Sequence, residues 1–268
     1  MLGFGRLFKN EFKAVGRVML PLYGAMIVSS IIFGLTNLIN SGNESGVLTF
    51  TSAILYGLTV MAVVAFTAVM LIQRFYKNLL GNEGYLNFTL PVSINAHIGN
   101  KTLSAGIWMI LGAVAGMLSV FIILLFMVTP GEIARELGYI WSDIKLADSA
   151  AAAKLVLLIV ECIVLAVVWC GEVAIKIYAA ISLGQQWASH RVLGAVGAYI
   201  GFSIAESIVG GILQAVVPID TPMDLMEGIS DYAATQMMLL IILVSELILI
   251  GIYWVINNRL LEKHLNLQ

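Results

Sequence analysis

Hydrophobic positions fall into six blocks separated by short polar stretches: Val18–Ile39, Leu48–Gln73, Leu103–Val128, Leu155–Ala180, Val192–Val217 and Gln236–Asn257. About 20 mostly apolar residues are needed for a helix to cross the hydrocarbon of a bilayer. Each block meets that length, so the pattern predicts six transmembrane helices. Ahead of them, Leu2, Phe4, Leu7, Phe8, Phe12 and Val15 recur at helical spacing, with Arg6, Lys9, Asn10, Lys13 and Arg17 largely between them. That pattern predicts a basic amphipathic helix over residues 1–17, suited to the headgroup plane. It serves either as a topology signal or as a lever to a cytoplasmic partner. The longest connector is under about 30 residues, too short for a domain of roughly 50 or more. The fold class expected is all-α: one polytopic membrane domain with an N-terminal interfacial helix and the lipid bilayer as its solvent.

Composition agrees. Mean hydropathy is +0.97, with 60% hydrophobic and 11% charged residues, where soluble domains carry roughly a quarter charged residues. The basic residues then orient the chain. With the N-terminus inside, Arg6, Lys9, Lys13, Arg17, Arg74, Lys77, Lys101, Lys176, Arg191, Arg259 and Lys263 are inside, and only Arg135, Lys145 and Lys154 are outside. The positive-inside rule therefore places both termini in the cytoplasm. Cys162 and Cys170 share one block, eight residues and about 12 Å apart along a helix. They cannot bridge within it and read as packed thiols. No cleavable signal peptide is evident.

The outer connectors differ in character. Residues 129–153 carry Ile133, Leu137, Ile140 and Trp141 at helical spacing, which predicts a surface helix. Residues 218–235 offer Asp220 or Thr221 as a helix cap before Pro222, in either an interfacial or a re-entrant arrangement. Four acids fall within the spans: Glu161, Glu172, Glu206 and Glu246. An intramembrane ionisable group is costly and points to function by default. Each also has a structural reading. Glu172 and Lys176, four residues apart, suit a pair on one helix face. Glu161 is close enough to the outer boundary to reach it. Glu206 and Glu246, nearest mid-span beside Ser207 and Ser245, are expected to face the bundle interior. The chain has no G-x-x-x-x-G-K-[ST], H-E-x-x-H or C-x-x-C pattern, and His97, His190 and His264 are far apart. No catalytic or metal site and no nucleotide or nucleic-acid partner of its own is expected, so any ATP-driven work needs another subunit.

The loop of residues 74–102 stands out. Gly81 ends the extension of the second span, and Asn82 caps a short helix from Glu83 to about Leu90. Pro91 stops that helix, and Ser93 caps the helix that becomes the third span. The cross-piece presents Tyr85, Leu86, Phe88 and Leu90 on a side facing water, where they need a groove to occupy.

The run Arg74-Phe75-Tyr76-Lys77-Asn78-Leu79-Leu80, then Asn82-Glu83-Gly84-Tyr85-Leu86 and Phe88-Thr89-Leu90-Pro91-Val92-Ser93, closing on Asn100-Lys101, resembles the permease subunits of ABC-2 type transporters. The likeness is to small six-span permeases of Gram-positive bacteria, with a type V exporter-like architecture. The inner loop Ser182–Gly194 is similar to their second cytoplasmic loop. Asn100 stands where a glycine is usual, and Ile94 where a basic residue is common. The resemblance implies a bacterial cell-membrane protein that pairs with an identical or paralogous permease. It also implies two separate ATP-binding subunits, which would hold the ATP and Mg. Those subunits would press on Glu83, Gly84, Tyr85, Leu86, Phe88, Leu90 and Pro91, and on Gln185, Gln186, His190 and Arg191. Export of a peptide, antibiotic, lipid or similar amphiphile follows. The residues leave two alternatives: a proton- or ion-coupled carrier using Glu206 and Glu246, and a membrane scaffold, sensor or immunity protein.

Overall fold

A computed structural model of the chain describes residues 2–40, 46–77, 93–146, 149–187, 190–216 and 232–263. Among them lie seven α-helices: α1 (Leu2–Asn40), α2 (Val47–Phe75), α3 (Ile94–Met127), α4 (Pro130–Leu146), α5 (Ser149–Gly184), α6 (Arg191–Val216) and α7 (Tyr232–Lys263). All except α4 are long and apolar enough to cross a membrane. The shortest of the six, α6, has 26 residues, about 39 Å at 1.5 Å per residue, against hydrocarbon about 30 Å thick. Large apolar side chains such as Leu20, Met61, Met117, Ile163, Ile208 and Leu240 point outward, as a lipid solvent requires. This is a multi-pass, all-helical membrane protein.

Local chemistry sets the helix starts. Ser93 accepts the Ala96 backbone N–H on Oγ at 3.3 Å, so the expected cap of α3 forms, and the helix begins nine residues before its apolar block. The predicted helix in 129–153 is α4. Thr129 and Glu132 form a reciprocal capping box there. The Glu132 carboxylate accepts from the Thr129 backbone N–H at 3.0 Å, and Thr129 Oγ1 accepts the Glu132 N–H at 3.3 Å. Pro130 occupies the first turn, where its missing N–H costs nothing.

The N-terminal stretch departs from expectation. Residues 2–17 are not a separate interfacial helix but the first turns of the 39-residue α1, which runs unbroken through Pro21. The reason is packing. Phe12 stacks on Trp108 with ring centroids 4.7 Å apart, and Gly16 meets the same indole. Part of the apolar stripe thus has a protein partner instead of headgroups. The thiols also split: Cys170 is buried and Cys162 exposed, so only Cys170 is packed within the chain.

The chain divides into two compact units. One comprises Lys9–Met70 and Ile107–Val160. Its α1 and α2 run antiparallel along a hydroxyl seam. Ser29 meets Thr59 at 2.7 Å, and Thr36 meets Ser52 at 2.6 Å. Each step is seven residues, the spacing of a left-handed two-helix contact. Tyr23 donates to the Trp108 carbonyl at 2.8 Å, and Tyr56 bonds Ser119 at 2.8 Å, which ties α3 to this pair.

The other unit comprises Met1–Phe8, Leu71–Gly106 and Glu161–Gln268. Its core includes Phe75, Ile98, Ala174, Ile175, Tyr178 and Leu261, with Phe75 stacked on Tyr178 at 4.2 Å. Helices α5 and α7 run parallel at a constant offset. Gln236 Nε2 donates to Glu161 Oε2 at 2.8 Å, and Ser182 Oγ donates to Asn257 Oδ1 at 2.9 Å, both pairs 75 residues apart in sequence. Glu161 and Ser182 are 21 residues apart, about 32 Å of helix, so polar contacts close both ends of a seam about as long as the hydrocarbon is thick.

Candidate functional site

Midway along that seam the chain gathers its buried charge. Glu172 is eleven residues from Glu161 and ten from Ser182 on α5. At 4% exposure it is almost wholly enclosed. Lys176 follows one turn later and is also buried. The expected pair between them does not form. The Lys176 ammonium reaches across to α6 and pairs with Glu206 Oε2, while Glu172 Oε1 has no hydrogen-bond partner. An intrahelical pair would leave Glu206 without its cation; crossing to α6 satisfies it and joins two helices. Lys176 therefore leaves the set of loop cations, and the excess of Lys and Arg on the side of both termini persists without it.

Glu206 faces the bundle interior, as expected. Its second oxygen, Oε1, accepts from the Tyr253 hydroxyl of α7. Glu246 lies two turns before Tyr253 on the same helix, and its Oε2 has no hydrogen-bond partner. The charges of Glu206 and Lys176 act on it, and those of Glu206, Lys176 and Glu246 act on Glu172. Ser207 and Ser245 play no part: each hydroxyl donates to a carbonyl of its own helix, Ser203 and Ile242. Three helices thus converge three carboxyls on one ammonium.

Two aromatic members were not among the expected residues. Tyr253 holds Glu206, and the Tyr199 ring has Lys176 Nζ 5.1 Å from its centroid, a cation–π distance. Both carry a sequence signal, since each is seven residues from a glutamate of its own helix, Tyr199 before Glu206 and Tyr253 after Glu246. Seven residues is two turns, so each pair shares a helix face.

Below the cluster, Asn257 is fully enclosed. Besides accepting from Ser182, its amide donates to the Tyr253 carbonyl at 3.1 Å and the Ile175 carbonyl at 3.2 Å. Asn257→Leu removes all three bonds and strands the Ser182 hydroxyl. The expected loss is about 1–2 kcal/mol, read as a lower unfolding midpoint in mixed micelles. An unchanged midpoint would mean that Asn257 does not hold α5 to α7.

The second predicted coupling segment, Gln185–Arg191, lies where α5 ends and α6 begins. Backbone bonds Gln185 to Ile181, Gln186 to Leu183 and Trp187 to Gly184 close α5, and the His190 carbonyl accepts the Gly194 N–H to open α6. Gln186, Trp187 and His190 are exposed, and Gln185 and Arg191 are partly buried. The ends of α5 and α6 approach closely at two glycines. A Cβ on Gly184 would stand 2.4 Å from the Ala195 backbone nitrogen, and one on Gly194 would stand 2.5 Å from the Trp187 ring. Glu83, Gly84, Tyr85, Leu86, Phe88, Leu90 and Pro91 lie outside the described residues, as does the Asp220–Pro222 cap. Among the described residues, no group of three or more His, Cys, Asp or Glu side chains is placed to hold a metal ion.

No protein-family model, curated protein or solved structure matches the chain.

Proposed function

We propose that this chain is the membrane-spanning permease subunit of an ATP-binding cassette exporter, driven by separate ATP-binding subunits in a bacterial cell membrane. The observation that carries this reading is the segment Asn82–Ser93, aromatic and apolar yet set between two spans, with the motif quoted above. Two features support it. Six crossings put the α2–α3 connection and the α5–α6 turn on the side of both termini, the side rich in Lys and Arg. The α5–α6 turn is also built to resist deformation, because Gly184 and Gly194 bring the two helix ends into backbone contact. A push there moves α5 and α6 as a unit.

In this reading the ATP-binding subunits grip Tyr85, Leu86 and Phe88 and bear on Gln185–Arg191. A second permease, identical or paralogous, completes the path, and the cargo is a peptide, antibiotic, lipid or similar amphiphile. The test is co-purification with an ATP-binding subunit encoded beside this chain. Replacing Tyr85, Leu86 and Phe88 together by Ala is expected to lower recovery of that subunit at least about tenfold, equivalent to about 1.4 kcal/mol. Unchanged association and unchanged transport-stimulated ATP hydrolysis would refute the coupling role.

A further inference from the structure

Fully ionised, Glu172, Lys176, Glu206 and Glu246 would place three negative charges against one positive charge among apolar helices. An uncompensated charge in such surroundings is costly enough that a carboxyl takes a proton instead. The hydrogen bonds show which carboxyls those are. Glu206 receives a donor on each oxygen, the Lys176 ammonium on Oε2 and the Tyr253 hydroxyl on Oε1. Both of its oxygens are therefore satisfied. Glu172 Oε1 and Glu246 Oε2 receive none, Glu172 is more than nine-tenths buried, and Glu172 and Glu206 share a hydrogen bond, which needs a proton on one of the two carboxyls. An oxygen that no donor reaches is poorly suited to carry charge.

We propose that Glu172 and Glu246 form an intramembrane proton-binding site around the Lys176–Glu206 ion pair. Each holds one proton at neutral pH, so the four groups together are uncharged. The ligand is the proton: binding forms an O–H bond on a carboxylate, and release leaves a negative charge beside Glu206. The proposal does not depend on the permease reading.

The surrounding titratable groups do not supply the missing charge. On α5, α6 and α7 these are Cys170, Tyr178, Tyr199 and Tyr253, all neutral in their ordinary state. Helix α3 comes close where Gly106 faces Gly171, and it carries the buried His97 and Lys101. Helix α2 packs through Phe75 on Tyr178 and carries Arg74, Tyr76 and Lys77 nearby. None of these α2 and α3 groups is among the charges acting on Glu172 or Glu246.

The test is infrared spectroscopy of the purified full chain in lipid nanodiscs, where a protonated carboxyl and a carboxylate absorb at separate frequencies. At neutral pH, Glu172→Gln and Glu246→Gln are each expected to remove one protonated-carboxyl band. Lys176→Met is expected to add one, because Glu206 then loses its cation and takes a proton. The Gln variants keep side-chain size, so they remain informative if Lys176→Met fails to fold. Spectra of Glu172→Gln and Glu246→Gln that superimpose on the wild type in the protonated-carboxyl region would overturn the proposal.

Discussion

Lys176→Met is expected to lower the stability of the folded chain by about 3–5 kcal/mol, the usual cost of removing one partner from a buried ion pair. The reason is numerical. Three carboxyls share one ammonium, so no second cation in the cluster can replace it. Glu206 loses the Lys176 donor on Oε2 and keeps Tyr253 on Oε1. The companion change Glu206→Gln is expected to cost less, because Glu172 lies one turn from Lys176 and has a free oxygen with which to receive it. The double variant Lys176→Met/Glu206→Gln removes both charges together and should recover most of the loss. Unfolding midpoints in mixed micelles for the two single variants and the double variant give the coupling. Equal costs for the two single changes would contradict the three-to-one arrangement.

Gly184→Ala is expected to destabilise by about 3 kcal/mol, the upper end for overpacking a filled site. The obstacle is backbone, since the new methyl would stand 2.4 Å from the Ala195 nitrogen and 2.7 Å from its Cα. Neither atom can swing aside, so α5 and α6 must move apart. Gly194→Ala is milder, because its closest obstacle is the exposed Trp187 ring, which can turn away. Gly57→Ala in α2 meets nothing within 4 Å and should stabilise by about 1 kcal/mol through helix propensity. Thermal midpoints of the three variants check the order. If Gly184→Ala and Gly57→Ala shift the midpoint equally, the α5–α6 contact is not tight. Under the permease reading, Gly184→Ala also displaces Gln185–Arg191 and lowers coupled ATP hydrolysis.

Hydrophobic blocks of 20 or more residues located all six spans, because length and continuity are one-dimensional properties. Ser93 is legible as a cap because capping acts over three residues, and the helix after Thr129 because Ile133, Leu137, Ile140 and Trp141 recur at helical spacing. The division at residue 17 was misread because amphipathicity reports that a face is apolar and not what covers it. Trp108, more than 90 residues away, takes the place assigned to headgroups. The Glu172–Lys176 pair failed on the same ground. Spacing within one helix makes a pair available, and Glu206, thirty residues further on, outcompetes it. Tyr199 and Tyr253 were within reach of a sequence argument at seven-residue spacing, but only once Glu206 and Glu246 are known to share one centre.

The hydroxyl seam between α1 and α2 has a mechanical consequence. Each of its four hydroxyls lies within bonding distance of a carbonyl of its own helix: Ser29 with Met26, Thr59 with Tyr56, Thr36 with Phe33 and Ser52 with Thr49. Each hydroxyl has one hydrogen. In a facing pair one hydrogen bridges the helices while the other stays at home; with the helices apart, both stay at home. Separating α1 from α2 at these two pairs therefore breaks no net hydrogen bond, and the bonds lost are those of Thr49 with Asn40 and the Thr36 carbonyl at the end of the seam. The Glu206 carboxylate of the Lys176–Glu206 pair has no such fallback, because the cluster holds no second cation. The two seams would yield in sequence under a pulling force, the hydroxyl seam at the lower load and reversibly.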